Sequence, residues 1–212
     1  MTNQPTTPQW VKSLVVPVRG KFIVIEGIDG SGKTTLAERL ARLLNERDQK
    51  TFCTSFPSKT LPIGRLVRSM FNGETEEHCM QLLMLAEMFD EAKAIRRRLD
   101  EGTTMIADRW CYSTTAYSHR NGVDPKWVEH VRAPLLQPDL ILLLDVDLEV
   151  AIDRIDARGE GKSRYEDART LKGAHKYYRE VLPKLHPNIV HVIDGTKTRH
   201  EIEEIAMGLV IA

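Results

Sequence analysis

The stretch Lys21–Thr35, K-F-I-V-I-E-G-I-D-G-S-G-K-T-T, constrains this chain more than any other. Phe22-Ile23-Val24-Ile25 is a short β-branched apolar run, the pattern of a buried strand. Gly27, Gly30 and Gly32 follow, then Lys33, Thr34 and the helix formers Leu36-Ala37-Glu38-Arg39-Leu40. This is the G-x-x-x-x-G-K-[ST] pattern in the strand-to-helix setting it needs. Glycines let the backbone turn tightly, so that several N–H groups face one anion. The helix N-terminus adds its partial positive charge. The spacing predicts an ATP phosphate site built from Gly27, Ile28, Asp29, Gly30, Ser31, Gly32, Lys33, Thr34 and Thr35. Lys33 is expected to reach the β- and γ-phosphates, and the Thr34 hydroxyl to sit on Mg²⁺. The bland alternative is a glycine-rich turn that happens to carry a lysine, and the flanking strand and helix count against it.

Strand-like and helix-like stretches alternate along the rest of the chain. Strands are expected at Phe22–Glu26, Thr51–Thr54, Thr103–Ala107, Leu140–Asp145 and Ile189–Ile193. Helices are expected between them, including Glu76–Leu99, Leu148–Arg158 and Asp167–Leu182, with a last one at His200–Ile211. That order implies an α/β fold, a five-stranded parallel sheet flanked by helices. The 212 residues suit one such domain, taken as residues 20–212. Residues 1–19 are polar and carry Pro5, Pro8 and Pro17, and read as a flexible extension on which Trp10 and Leu14-Val15-Val16 are the candidates for docking.

Charge narrows the partners. Lys plus Arg and Asp plus Glu are 30 each, so no overall field favours nucleic acid or an anionic membrane. No apolar run is long enough to span a bilayer. The N-terminus lacks a basic segment followed by an apolar core, so no secretory signal is expected. Cys53, Cys79 and Cys111 are odd in number and lack a C-x-x-C, which reads as reduced thiols in a cytoplasmic protein.

In a parallel sheet, ligands bind beyond the carboxyl ends of the strands. Asp29 follows the first strand, Phe56, Pro57 and Lys59 the second, and Asp108 and Arg109 the third. Asp108 is the expected Mg²⁺ partner beside Thr34, with Asp145 as rival. Arg109 is placed to bridge donor and acceptor phosphates. The segment from Arg154 to about residue 166 carries Arg154, Arg158, Lys162 and Arg164, with Gly159 and Gly161 as hinges, and is expected to act as a basic lid.

These residues carry a resemblance. Phe22–Thr35 looks like the start of thymidylate kinases, whose first motif reads E-G-x-D-G-x-G-K-T-T in many members. Phe56-Pro57-Ser58-Lys59 with Ile63-Gly64 resembles their F-P-x-R…I-G segment, with Lys59 at the basic position. Asp108-Arg109-Trp110 with Ser113, Ala116 and Tyr117 resembles D-R-Y/H-x-x-S-x-x-A-Y/F. Pro138-Asp139-Leu140 through Asp145-Val146 resembles their P-D-L…L-D-V strand, and Arg158-Gly159 with Arg164-Tyr165-Glu166 their lid.

The resemblance implies the fold of the P-loop nucleoside monophosphate kinases, a homodimer, and Mg²⁺-dependent transfer from ATP to dTMP. It also implies an acceptor-binding set of Asp29, Phe56, Lys59, Met84, Met88, Arg109, Ser113, Tyr117 and Tyr165. Within it, Lys59 and Arg109 hold the acceptor phosphate, Asp29 meets the 3′-hydroxyl or the metal region, and Tyr117 lies under the sugar. Some members carry a basic residue where this chain has Gly30, so the catalytic set here is Lys33 and Arg109 with the lid arginines Arg158 and Arg164. One departure bears on the base. The family's L-L-F-x-A-N-R helix reads Leu82-Leu83-Met84-Leu85-Ala86-Glu87-Met88, and methionine cannot replace an arginine's hydrogen bonds unless Gln81 or another side chain supplies them.

Two rival readings remain beside a kinase for dTMP or another pyrimidine deoxynucleotide. A nucleoside kinase would need a carboxylate to activate a neutral hydroxyl, and the Lys59–Arg109 pair argues against it. A GTPase switch would want an N-K-x-D motif, which the chain lacks.

Overall fold

A computed structural model describes residues 19–118, 122–159 and 163–212. All of the N-terminal extension but Arg19 lies outside the described residues, as do Gly161 and Lys162 of the lid. Five parallel strands form one sheet in the order β2-β3-β1-β4-β5. They are β1 (Phe22–Glu26), β2 (Thr51–Ser55), β3 (Thr104–Asp108), β4 (Leu140–Asp145) and β5 (Val190–Asp194). The central β1 pairs with β3 on one side, Ile25 opposite Asp108, and with β4 on the other, Glu26 opposite Leu143. The chain runs outward to β2 and β3 on one side of β1, then crosses to β4 and β5. A crevice therefore opens at the carboxyl end of β1.

Alternate residues of β1 feed the two faces. Phe22 and Val24 join one core with Met105, Ala107, Trp110 and Tyr112. Ile23 and Ile25 join the other with Leu36, Leu40, Ile106 and Leu142. All five residues of β1 are buried, as a strand covered on both faces requires. Helices α1 (Lys33–Asn45) and α9 (Arg199–Ile211) cover the second face. The first is covered by α2 (Pro62–Ser69), α3 (Glu77–Asp100), α4 (Cys111–Ser118), α5 (Pro125–Arg132), α6 (Leu148–Asp156) and α7 (Ala168–Lys176).

Three details differ from the sequence expectation. The short helix expected over 113–119 begins two residues earlier, at Cys111. The helix expected to run to Arg158 ends at Asp156, so Arg154 belongs to α6. The helix expected over 167–182 is interrupted: α7 passes into a π-helical turn at Tyr177–Val181 and then the short α8, Leu182–Leu185. Pro183 has no N–H to give the carbonyl of Arg179, and the turn before it widens.

Candidate active site

Gly27–Thr35 joins β1 to α1 as a tight loop. Gly30 has φ of +81°, and a Cβ there would stand 2.3 Å from the carbonyl oxygen of Ala151, so the loop lies flush on α6. Gly32 caps α1 with φ of +100°, yet a Cβ there would meet nothing within 4 Å. Only its backbone angle demands glycine, and the space over the helix N-terminus is open. Lys33 is buried and donates to the carbonyl of Ile28 at 2.6 Å and to Ser31 Oγ at 3.4 Å. Burial, with Arg109 close by, lowers its pKa to about 8.

The end of β3 meets this loop. Thr34 Oγ1 donates to Asp108 Oδ2 at 2.5 Å. Asp108 is buried, and its Oδ1 has no hydrogen-bond partner among the described residues. A buried carboxylate oxygen without a donor, beside a hydroxyl, is a hard-oxygen set that fits Mg²⁺. Among the described residues no group of three or more His, Cys, Asp or Glu forms a metal site, so such an ion would complete its shell with phosphate and water. Asp145, the rival, is paired with Arg179 at 2.7 Å.

Arg109 adopts φ of +72°, a left-handed angle costly for a long side chain. That angle follows directly on Asp108, and its guanidinium is held by three partners. Nη2 donates to Asp29 at 2.6 Å, and Nη1 to the Gly27 carbonyl at 3.2 Å and Ser113 Oγ at 3.1 Å. Tyr117 OH donates to the other Asp29 oxygen at 2.8 Å, and its ring lies 5.4 Å from the guanidinium carbon. Burial alone would raise the pKa of Asp29, but Arg109, Lys33 and Tyr117 overcome it and hold it at about 2.

Beneath this cluster sits Glu26, fully buried at the end of β1. It accepts from Trp110 N at 2.9 Å and from the hydroxyls of Ser113 and Tyr178, each at 2.7 Å. Burial raises its pKa, while Arg109 and the three donors work in the opposite direction. Glu26 fixes the start of α4, and Ser113 passes that constraint to Arg109. Sequence reasoning saw only a strand end there; an acid closing a buried apolar strand was the signal that could have revealed it.

One cavity of about 870 Å³ gathers most of the expected residues. Asp29, Lys33, Thr34, Asp108 and Arg109 form its floor, and Phe56, Lys59, Met84, Met88, Ser113, Tyr117, Arg158 and Tyr165 line its walls. Gly30, Gly32 and Thr35 border both it and a second cavity of about 290 Å³, where Ser31 joins Leu36, Arg154 and Arg199. Arg154 reaches back to the carbonyls of Gly30 at 3.4 Å and Gly195 at 3.1 Å.

Two residues lie elsewhere than the sequence suggests. Arg164 does not line either cavity; it pairs with the buried Glu77 at the head of α3, 3.2 Å away. Gln81 donates to the same Glu77 at 3.0 Å and is no part of the cavity wall. Arg158 lines the cavity and pairs with Glu166 of its own segment.

The thymidylate kinase family model matches residues 25–205. The chain is 30% identical over 198 residues to thymidylate kinase of Arabidopsis thaliana, covering 92% of this chain and 73% of that protein. It is 34% identical over 190 residues to the probable thymidylate kinase of Methanocaldococcus jannaschii, covering 89% and 93%. The solved structure of thymidylate kinase from Candida albicans superposes with a TM-score of 0.77 at 25% identity, covering 91% and 92%. A match that runs from the central strand to the last helix, with relatives aligned over most of both chains, places this chain in the thymidylate kinase family.

Proposed function

We infer that the chain transfers the γ-phosphoryl group of ATP to dTMP, giving dTDP and ADP. The observation that carries this is the meeting, in one cavity, of a phosphate loop, an Asp108–Thr34 pair and the Asp29–Arg109–Tyr117 cluster. Donor phosphates lie on the N–H groups of residues 27–35, and Lys33 leaves the Ile28 carbonyl to meet them. Their negative charge favours the protonated lysine that burial disfavours. An oxygen of the acceptor phosphate attacks the γ-phosphorus, the bond to the β-bridging oxygen breaks, and ADP leaves with that electron pair. The nucleophile is already anionic, so no general base is needed. Asp29, tied to Arg109 and Tyr117 and held at about 2, is poorly suited to be one, which disfavours the nucleoside kinase reading. Catalysis rests on positioning and charge. Arg109 spans the two phosphate sites and Arg158 approaches from the lid. Thr34 and Asp108 would hold Mg²⁺, and the ion would supply charge neutralisation to the phosphates. The smaller cavity beside Arg154 and Arg199 suits the donor's base.

Met84 and Met88 line the acceptor cavity where a base would lie, and neither offers a hydrogen bond. A site without a base-reading donor discriminates weakly. The Candida albicans enzyme is described as having broad substrate specificity. Incubation with ATP and each of dTMP, dUMP, dCMP, UMP and thymidine, with products followed as ADP and diphosphate, tests the reading. Turnover of dTMP with measurable turnover of dUMP is expected, and UMP is rejected at Tyr117. Turnover of thymidine alone would replace the reading with a nucleoside kinase.

We also propose a cytoplasmic homodimer. Leu66 of α2 and Leu82 and Phe89 of α3 are each at least 40% exposed, an apolar surface that a second copy would cover. Sedimentation reads the assembly directly. No helix of the described residues is long and apolar enough to cross a membrane.

A further inference from the structure

Glu26 ends β1 beneath Arg109, and its hydrogen bonds can be counted proton by proton. Oε1 accepts from Trp110 N at 2.9 Å. Oε2, Ser113 Oγ and Tyr178 OH form a closed triangle with sides of 2.7, 2.7 and 3.0 Å. Each side has the length of a hydrogen bond between oxygens. A hydroxyl carries one proton and two lone pairs. In the ionised form of Glu26, Ser113 and Tyr178 would both point their single proton at Oε2. Their own oxygens would then face each other at 3.0 Å, buried, with no proton between them. A third proton, on Oε2 itself, removes that opposition of lone pairs. Oε2–H then donates to Tyr178, Tyr178 to Ser113, and Ser113 back to Oε2. The second lone pair of Ser113 is left for Arg109 Nη1, 3.1 Å away. All three contacts are made, and bonds that follow one another round a ring strengthen each other.

Charge leads to the same state. Glu26 is fully buried. The titratable groups that act on it are Lys33 of α1, then Arg109, Cys111 and Tyr112 around the start of α4, and Tyr177 and Tyr178 of the π-helical turn. Among these only Lys33 and Arg109 are cations, and Asp29 and Asp108 already act on both. An ionised Glu26 would be a third anion for two cations, cut off from solvent. Burial is the largest influence on its pKa and raises it against the pull of Arg109. The neutral form also suits the site. An anion under Arg109 would compete with the phosphates for its charge. A neutral ring does not compete, yet still holds Ser113 against Nη1 and the Trp110 N–H against Oε1.

We propose that Glu26 is held as a neutral carboxylic acid and, through Ser113 and Trp110, is a positioning residue for Arg109. The positioning half rests on Arg109 being the phosphate-bridging residue of the reaction inferred above, and the protonation half does not.

Melting curves against pH test the proton. A glutamate in the unfolded chain loses its proton near pH 4.5, whereas folded Glu26 keeps it. Wild-type stability therefore falls as pH rises above that value, because the folded chain binds one proton more than the unfolded one. Glu26→Gln has no such proton. Between about pH 5.5 and 7.5 the unfolding constant of wild type should rise about tenfold per pH unit relative to that of Glu26→Gln. A ratio that stays flat across this window means an ionised Glu26 and overturns the proposal. Infrared spectra give an independent reading. The carbonyl stretch of a neutral carboxylic acid should be present in wild type near neutral pH and absent from Glu26→Gln. It should shift in Tyr178→Phe, which removes one bond of the ring, and that shift alone decides if Glu26→Gln does not fold. A band that Tyr178→Phe leaves unmoved belongs to another acid and overturns the proposal. Kinetics test the positioning. Glu26→Ala should lose about 10- to 100-fold in kcat/KM for dTMP, the size of a misplaced charged hydrogen bond. Glu26→Gln should recover most of that loss, since its amide offers the ring a neutral donor. A loss as deep in Glu26→Gln as in Glu26→Ala would mean that Arg109 needs the charge of Glu26, and would overturn the proposal. A wild type that turns over no dTMP overturns the acceptor reading and the positioning half with it, while the melts and the infrared band still decide the proton.

Discussion

Lys33 shows how a functional side chain can cost its own fold. Folding lowers its pKa from 10.5 to about 8, so the folded chain binds fewer protons than the unfolded one between those values. Stability therefore rises with pH across that window, and below it the full cost of the buried charge is present. At about 1.4 kcal/mol per pKa unit the cost is on the order of 3 kcal/mol, offset in part by the bonds to Ile28 and Ser31. Lys33→Met should melt higher than wild type at pH 7 without nucleotide, and the gain should shrink towards about pH 10. Transfer should fall by roughly 100-fold or more. Thermal melts across pH and steady-state turnover check both halves; a variant that melts lower at pH 7, or keeps its turnover, contradicts them. Residues inside a contiguous motif, Lys33 and Thr34 above all, were legible because the motif fixes their spacing. Glu26 was not, because its partners come from 84, 87 and 152 residues away and only folding brings them together.

The lid separates two arginines that look alike in sequence. Arg158 follows α6, is exposed, and pairs with Glu166, an interaction worth little to stability. Arg164 grips Glu77, whose side chain is fully buried and also accepts from Tyr165 at 2.8 Å. Arg158→Ala should lower kcat by roughly 100-fold with little change in Tm, as the loss of a transition-state cation does. Arg164→Ala should instead lower stability by about 1–3 kcal/mol, because a buried carboxylate loses its counter-charge. Parallel melting curves and kinetics distinguish them, and an Arg164→Ala protein with normal melting but lost kcat would return that residue to the phosphates. The strands and most helices were legible from periodicity. The π-helical turn was not, since local pattern does not say how the chain settles the hydrogen bond that Pro183 lacks.

For the whole molecule, the parallel sheet and the crevice beside β1 were predictable from the alternation of strands and helices. The base preference is less so, because Met84 and Met88 say only what is missing. The clamp on Glu77 has a consequence at this scale. It fastens the segment that would cover the donor to the first turn of α3, and the same rigid helix carries Met84 and Met88 in the acceptor wall. Two ligands that press on the two ends of one lever are thermodynamically linked. The factor by which dTMP tightens a non-hydrolysable ATP analogue must equal the factor by which that analogue tightens dTMP. Glu77→Ala should drive both factors toward unity together, each read from the Kd of one ligand with and without the other. A coupling that survives the cut would have to travel by another route. If it is lost, the enzyme would take up its two substrates as strangers, each blind to whether the other has arrived.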